Sequence, residues 1–387
     1  MSEDFERLDR AFAFALDSTR SGMGYDLDDL LEELALLASN VGLEVVGRFV
    51  QRRERPDPAY FLGRGKALEM FSRALEERVG VFICDDRLTP GQVRNLKELY
   101  LSLLPQRFRP LSRVRITDRA GVIMEIFESR AHTAEAKLQV ELARLKYELP
   151  FARGYGLQMS RTGGGIGTRG PGEQETERVR RAIYRRIAQL EERLERVREQ
   201  RKLRRARRSE GAFQLSLVGY TNSGKSTLLS ALSGDRSVYV EDKLFATLDP
   251  LSRRVFLPGL RGAVVVSDTV GFIRKLPPFL VAAFRATLEE LQYADLLLHV
   301  VDVSRPDYLE LVSAVEEVLR EVGVADKPVV LLLNKVDLVG PSDVESARAR
   351  FRGAGYEDVL PISAKMGWGL DVLTSRVAEI LSSTVAR

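Results

Sequence analysis

The sequence of 387 residues predicts an α/β protein built in three parts. Residues 1–130 alternate apolar strand patterns with helical patterns, which is typical of an α/β domain with a parallel sheet. Residues 131–210 carry two long helical repeats of apolar residues, which predict an antiparallel helical hairpin. Residues 211–387 alternate strands and helices again and predict a second α/β domain with a mostly parallel sheet.

The composition excludes several classes of protein. Hydrophobic residues make up 44% of the chain, which is enough for real cores. The single cysteine, Cys84, excludes a disulfide framework and a cysteine metal cluster. The charged N-terminus lacks a signal-peptide pattern, and no apolar run is long enough to span a membrane. We therefore expect a cytoplasmic protein.

The first part contains the clearest alternation of elements. Its predicted elements are a helix at 28–38, a strand at 44–50, a helix at 66–77, a strand at 80–85 and a helix that opens at 89–91. The run Gly63-Arg64-Gly65-Lys66 invites comparison with a phosphate-binding loop, but it lacks the four-residue spacer and the hydroxyl after the lysine. A turn that caps the next helix is the favoured interpretation.

The middle part contains two apolar stripes at helical spacing. The stripe residues are Leu138, Leu142, Leu145 and Leu149 in the first helix, and Val179, Ile183, Ile187, Leu190, Leu194 and Val197 in the second. The second series is close to a heptad seam. Two such stripes predict helices that pack against each other and leave their basic residues on the outer faces.

Positive charge is concentrated in the second of these helices. Residues 172–208 contain 14 Lys and Arg and 7 Asp and Glu, a local net charge of +7, so the rest of the chain sums to −3. A basic stripe of this kind indicates a phosphate-backbone partner, and a solvated helix face is the alternative. The candidate RNA-binding residues are Arg201, Arg204 and Arg205 in this helix and Arg153, Arg161 and Arg169 in the preceding glycine-rich segment. A flexible linker is the alternative for that segment.

The third part opens with a phosphate-loop motif. Residues 213–218 are an apolar strand, residues 219–226 match G-x-x-x-x-G-K-[ST], and a helix pattern follows. Backbone N–H groups of such a loop surround phosphates at a helix N-terminus. We expect Lys225 to contact the β- and γ-phosphates and Ser226 to ligate Mg²⁺. The candidate nucleotide-binding residues of this segment are Gly219, Tyr220, Thr221, Asn222, Ser223, Gly224, Lys225, Ser226 and Thr227.

Two further segments complete the expected phosphate and metal site. Asp268 ends an apolar strand and is predicted to hold the magnesium, while Gly271 allows a turn that brings its N–H to the γ-phosphate. Thr247 lies in a polar segment between these elements and can supply a second hydroxyl to the metal. Phe272 stands where a Ras-like protein has a water-orienting glutamine. Its side chain cannot orient water by hydrogen bonding. We therefore expect either slow intrinsic hydrolysis or an attacking water that is positioned by another group.

The guanine-reading residues follow in the expected order. Asn334, Lys335 and Asp337 follow an apolar strand in the pattern N-K-x-D. A carboxylate at Asp337 accepts two hydrogens from guanine that adenine does not offer in this arrangement, so GTP is selected over ATP. Ser363, Ala364 and Lys365 follow another short strand and are predicted to reach the guanine carbonyl oxygen. The set resembles the G domain of the translation-factor class of P-loop GTPases.

The whole chain from about residue 40 resembles the HflX family of ribosome-associated GTPases. The resemblance is carried by the runs at 138–143, 163–173, 219–226 and 268–273. It implies GTP hydrolysis coupled to the large ribosomal subunit and its RNA, with splitting of stalled ribosomes under stress in some members. It also implies that the helical hairpin reaches ribosomal RNA. The chain ends soon after the last helix, so the extra C-terminal domain of some relatives is expected to be short or absent.

These observations lead to a mechanistic expectation. GTP and Mg²⁺ order the segments around Thr247 and Asp268, and Lys225 with the loop backbone stabilises transition-state charge. Lys225, Thr247 and Gly271 are therefore the expected catalytic residues of a partner-stimulated GTPase, expected to be a monomer. The first alternative is an RNA-remodelling ATPase that works through the N-terminal domain and has a regulatory G domain. The second is an RNA-binding adaptor.

Overall fold

The computed structural model describes residues 6–17, 26–152, 171–208, 212–234, 245, 251–260, 262–277, 279–280 and 288–385. The chain forms two compact units. The first unit contains Met1–Ser129 with Val140–Glu191, and the second contains Arg130–Gln139 with Glu192–Arg387. The predicted division at residues 130 and 210 stays a prediction. Each unit is described separately.

The first unit is built on a four-stranded parallel sheet with the order β2-β1-β3-β4. Its strands are β1 (Arg7–Asp17), β2 (Glu44–Arg52), β3 (Val79–Cys84) and β4 (Arg115–Asp118). Its helices are α1 (Leu27–Ser39), α2 (Arg64–Glu77), α3 (Pro90–Leu103), a short 3-10 helix (Arg109–Leu111) and α4 (Arg119–Arg130). The expected α/β alternation is confirmed, whereas β1, β4 and α4 were not predicted.

An aromatic cluster forms the core beneath this sheet. Phe12, Phe71, Phe82 and Tyr100 are completely buried. The rings of Phe71 and Phe82 meet edge to face with centroids 4.8 Å apart. Edge-to-face packing adds a favourable electrostatic contribution to the burial of the rings. The cluster therefore ties β1 and β3 to α2 and α3.

The glycine-rich run at residues 63–66 begins helix α2. Gly63 is the N-cap residue and α2 starts at Arg64. The Gly63 N–H donates to Gln51 Oε1 at 2.7 Å, and Lys66 Nζ pairs with Glu69 at 2.8 Å. These contacts agree with the interpretation of the run as a helix-capping turn.

The two long helices of the middle part are α5 (Ala134–Ala152) and α6 (Pro171–Arg208). The predicted seam is present, because Ile187, Leu190 and Leu194 are buried whereas most of their neighbours in α6 are exposed. This apolar stripe is the side of α6 that is removed from water.

Ion pairs join the two helices within the first unit. Glu141 pairs with Arg186 at 2.7 Å and Lys146 pairs with Glu191 at 2.8 Å. These contacts hold α5 beside α6, as the predicted helical hairpin requires. The antiparallel direction of the hairpin stays a prediction.

The second unit contains a six-stranded sheet with the order β10-β9-β8-β5-β7-β6, parallel except for β6. Its strands are β5 (Ala212–Gly219), β6 (Leu251–Val255), β7 (Ala263–Asp268), β8 (Leu296–Asp302), β9 (Val329–Asn334) and β10 (Val359–Pro361). Its helices are α7 (Lys225–Ser233), α8 (Tyr308–Val322), α9 (Pro341–Gly353) and α10 (Leu370–Val385), with 3-10 helices at Glu289–Tyr293 and Val336–Leu338. The predicted mostly parallel sheet is confirmed.

Buried apolar strands explain why this sheet is parallel. Every residue of β8 is buried, as are all but the first residue of β9. Parallel sheets are covered by helices on both faces, so their strands are apolar throughout. Among the described residues, no helix combines the length and the apolar character needed to cross a membrane.

A buried charged cluster in the first unit yields a stability prediction. The Arg119 side chain is 3% exposed and pairs with Glu33 at 2.6 Å and with Asp85 at 2.5 Å. Replacing Arg119 with Ala leaves two buried carboxylates without this partner, so we expect a loss of about 3–5 kcal/mol in the free energy of unfolding. Hydrogen exchange of amides in β1 and β3 measures this loss.

Arg144→Ala is the matched control for this prediction. The Arg144 side chain is 55% exposed and pairs with Glu128 and Glu148 on the surface of the same unit. Its removal is expected to cost under about 1 kcal/mol. Equal losses for the two variants would contradict the assignment of a stabilising role to the Arg119 cluster.

Candidate functional site

The predicted phosphate loop joins the end of β5 to the start of α7. Gly219 and Gly224 have φ angles of +150° and +97°. A Cβ atom at Gly219 would lie 2.3 Å from the Val300 carbonyl oxygen, and one at Gly224 would lie 2.3 Å from Asn334 Nδ2. These two glycines are therefore required both by backbone conformation and by close contact with β8 and β9.

Lys225 lies beneath this loop and is 6% exposed. Its Nζ donates to the carbonyl oxygens of Gly219 at 3.0 Å and Tyr220 at 2.7 Å. Burial lowers the pKa of Lys225 to about 8, against the opposing effect of the Asp268 charge. The ammonium group is thus held inside the curve of the loop by two of its three N–H donors.

Ser226 and Asp268 meet at the carboxyl end of the sheet. Residue Leu217 of β5 pairs with Asp268 of β7, which brings the end of β7 beside the start of α7. The Ser226 hydroxyl donates to Asp268 Oδ2 at 2.6 Å. A hydroxyl and a carboxylate are oxygen donors of the kind that Mg²⁺ prefers, so this pair fits the metal. Thr247, the third predicted ligand, lies outside the described residues.

Asn334 links the phosphate loop to the segment that follows β10. Its side chain is 2% exposed. Nδ2 donates to the Ser223 carbonyl oxygen at 2.7 Å, and Oδ1 accepts the Ala364 N–H at 2.9 Å. The asparagine of the N-K-x-D pattern therefore holds together two segments that are far apart in sequence.

Asp337 is oriented by Ser363, the serine of the predicted Ser363-Ala364-Lys365 segment. The Ser363 hydroxyl donates to Asp337 Oδ1 at 2.6 Å and accepts the Met366 N–H at 3.1 Å. Lys335 has a φ of 64° and pairs with Asp302 at 2.7 Å. Lys365 is exposed. This arrangement leaves the half-buried carboxylate fixed at the carboxyl edge of the sheet.

Two hydroxyls of the phosphate loop have no hydrogen-bond partner among the described residues. They are Thr221 Oγ1 and Ser223 Oγ, and both are buried. Buried polar groups normally have partners, so unpartnered hydroxyls here are consistent with a site completed by a ligand or water. Asn222 has a φ of 60°, and Thr227 lies in the first turn of α7.

The structure brings most predicted site residues to one edge of the six-stranded sheet. The predicted RNA-binding residues are different. Arg153, Arg161 and Arg169 lie outside the described residues. Arg201, Arg204 and Arg205 belong to α6. At these three positions the structure describes only the backbone. These six residues stay predictions.

Two buried groups lie beside the loop. Burial and the charge of Lys225 together lower the pKa of His299 in β8 to about 3, so this imidazole is neutral. Sequence reasoning missed the other group, Arg274, whose backbone N–H donates to the Tyr220 hydroxyl at 2.6 Å. Two adjacent cations between Ile273 and Leu276, just after the D-x-x-G pattern, were the sequence signal for it.

The double contact of Asn334 yields a binding prediction. Asn334→Ala removes the buried hydrogen bond to Ser223 in the phosphate loop and the one from Ala364, so we expect affinity for GDP to fall about tenfold. Titration with a fluorescent GDP analogue measures this change in affinity. Asn95→Ala is the control, because Asn95 donates similarly to the Ala59 carbonyl oxygen at 3.0 Å but lies in the first unit. Unchanged GDP affinity of Asn334→Ala would contradict the role given to this residue.

Comparisons with known families cover most of the chain. Residues 28–128 match the model "GTP-binding GTPase N-terminal", residues 130–208 match "GTP-binding GTPase Middle Region" and residues 214–335 match "50S ribosome-binding GTPase". A solved structure described as SsGBP in complex with GDP is similar with 25% identity and a TM-score of 0.50, over 97% of this chain and 99% of that one. It supports the fold.

Curated relatives from distant organisms are similar to this chain over most of its length. GTPase HflX of Caldanaerobacter subterraneus is 44% identical over 355 residues, which is 92% of this chain and 77% of the relative. GTPase HflX of Escherichia coli is 41% identical over 364 residues, which is 94% of this chain and 81% of the relative. GTPase HflX of Thermococcus kodakarensis is 41% identical over 345 residues, which is 87% of this chain and 74% of the relative. With this extent of identity, and with the phosphate-loop and N-K-x-D motifs at one edge of the sheet, the chain belongs to the HflX family of GTPases.

Proposed function

We propose that this GTPase binds the large ribosomal subunit and uses GTP hydrolysis to split or rescue stalled ribosomes. The observation that carries the proposal is the match of residues 214–335 to a family described as a 50S ribosome-binding GTPase. The net charge of +7 between residues 172 and 208 supports an RNA partner, because clustered arginines neutralise backbone phosphates.

The nucleotide is proposed to occupy the carboxyl edge of the six-stranded sheet. Lys225 contacts the β- and γ-phosphates, and the Gly271 N–H contacts the γ-phosphate. Asp337 accepts hydrogens from guanine while Ser363 holds its carboxylate in place. Ser226 and Asp268 would hold Mg²⁺, with Thr247 as the proposed additional ligand, and the metal would neutralise charge on the phosphates.

Hydrolysis needs a water-orienting group other than the side chain after Gly271. That side chain is Phe272, which is 2% exposed and has no polar atom. Its backbone instead binds the phosphate loop, since Phe272 N–H donates to the Gly219 carbonyl oxygen at 3.2 Å. We therefore infer slow turnover alone and faster turnover when the ribosomal partner completes or reorders the site. Lys225 and the loop N–H groups stabilise the developing charge.

Guanine selectivity supplies one test of this placement. Asp337→Asn replaces one carboxylate acceptor with a donor, so we expect GTP affinity to fall roughly 100-fold while the weak ATP affinity stays unchanged. Ser363→Ala is the comparison, because it removes only the group that orients Asp337 and should cause a smaller loss. Competition binding against labelled GTP measures both. Equal loss of GTP and ATP affinity would indicate a damaged fold rather than lost base recognition.

Ribosome dependence tests the proposed partner. We expect purified large subunits to raise the GTP turnover rate by at least about tenfold, and the affinity for them to fall steeply with salt. Replacing Arg201, Arg204 and Arg205 with Gln should reduce the slope of log affinity against log salt by roughly two to three. The matched control replaces three arginines of α9 with Gln, namely Arg348, Arg350 and Arg352.

The outcomes of this experiment separate the alternatives. No stimulation by large subunits would reject the proposed partner. If the slope of log affinity against log salt is unchanged in the variant, the arginines of α6 only form a solvated helix face. ATP-driven RNA unwinding that survives in Lys225→Ala would favour the alternative of an RNA-remodelling ATPase with a regulatory G domain.

A further inference from the structure

A fully buried arginine follows the Asp268–Gly271 segment. The Arg274 side chain is 0% exposed, and its NH2 group lies 2.6 Å from Asp307 Oδ2 and 3.1 Å from Glu310 Oε2. Asp307 immediately precedes helix α8, and Glu310 lies in its first turn. A buried arginine is costly unless it is well paired, so these contacts anchor the arginine to the start of α8.

The backbone around Arg274 is attached to the phosphate loop as well. The Arg274 N–H donates to the Tyr220 hydroxyl at 2.6 Å. Two residues earlier, the Phe272 carbonyl oxygen accepts the Thr221 N–H at 2.8 Å, and the Phe272 N–H donates to Gly219 at 3.2 Å. This short segment is therefore held between the phosphate loop on one side and α8 on the other.

Gly271 directly precedes this segment. A Cβ atom at Gly271 would lie 2.8 Å from Thr221 Cγ2 and 3.1 Å from Lys225 Nζ. The Gly271 backbone is thus packed against Thr221 and against Lys225, which is the proposed contact to the γ-phosphate. A small shift of the segment would change the distance between the Gly271 N–H and that phosphate.

The charge state of Asp307 keeps the anchor intact at neutral pH. Burial disfavours its carboxylate, but a hydrogen bond from Arg305 and the charges of Arg305 and Arg274 outweigh this effect and lower the pKa of Asp307. Arg305 binds the same carboxylate at 2.8 Å from a position that is 42% exposed. Two arginines therefore share one acid, and the buried one belongs to the segment that follows Gly271.

We propose that Arg274 is a positioning residue for GTP hydrolysis. Its ion pair with Asp307, together with its N–H contact to Tyr220, sets the position of Gly271 against the γ-phosphate. Because Asp307 immediately precedes α8, a shift of the start of α8 would also shift Arg274 and, through it, Gly271. The proposal rests on the proposed contact between Gly271 and the γ-phosphate, and it concerns the intrinsic reaction without ribosomes.

Single-turnover hydrolysis and nucleotide affinity of the full chain test this proposal. We expect Arg274→Ala to lower the hydrolysis rate constant about tenfold and to leave GDP affinity within about twofold, because GDP lacks the phosphate that Gly271 contacts. Arg274→Lys retains a cation and should recover part of the rate. Arg305→Ala is the matched control, because it removes the half-exposed arginine from the same acid and should leave the rate within about twofold.

Tyr220→Phe keeps the buried ion pair and removes only the hydroxyl that accepts the Arg274 N–H. This variant therefore still tests the proposal if Arg274→Ala fails to fold. We expect a rate reduction of about threefold with GDP affinity retained. The proposal is overturned if Arg274→Ala loses rate and GDP affinity in parallel, or if Arg274→Ala and Arg305→Ala have equal rates. Since ribosomes are not present, a failure of ribosome stimulation leaves this result unaffected.

Discussion

The close contact of the phosphate loop with the ends of β8 and β9 is the constraint on which the site depends. Gly219 approaches the Val300 carbonyl and Gly224 approaches the Asn334 amide so closely that neither position has room for a side chain. This contact curves the loop around Lys225. Because contacts within the protein give the loop this shape, less ordering of the loop is needed when a nucleotide binds, which favours affinity and transition-state stabilisation.

Buried charges surround this loop, and each is matched by a partner. Lys225 is held by loop carbonyls, Arg274 by Asp307 and Asp268 by Ser226. Buried ion pairs contribute little net stability compared with apolar packing, but removal of one partner is costly. Such pairs therefore specify one arrangement of the loop, the D-x-x-G segment and the start of α8. In this arrangement the start of α8 is connected to the segment after Gly271 through Asp307 and Arg274.

Much of the second unit was predictable because its signals are local. The motifs G-x-x-x-x-G-K-[ST], D-x-x-G, N-K-x-D and S-A-K each come after an apolar strand, and the carboxyl ends of parallel strands meet at one edge of the sheet. The first unit was harder. Strand β1 is central in its sheet, yet it begins in a charged stretch (Arg7-Leu8-Asp9-Arg10) before the apolar run at residues 11–16. An apolar run of this length fits a buried strand or a buried helix segment, and its pairing with β2 and β3 decides between them.

By itself, the sequence determined the α/β class, the phosphate-loop motif, the N-K-x-D and S-A-K patterns and the apolar seam of α6, because each is encoded by residue types at fixed short spacing. Only the tertiary structure decided the ion pairs between α5 and α6, the link from Asn334 to the phosphate loop, and the burial of Arg274 against Asp307. The physical reason is that these features join segments separated by tens of residues. Their partners are chosen by packing of the whole unit and not by the local preferences of the chain.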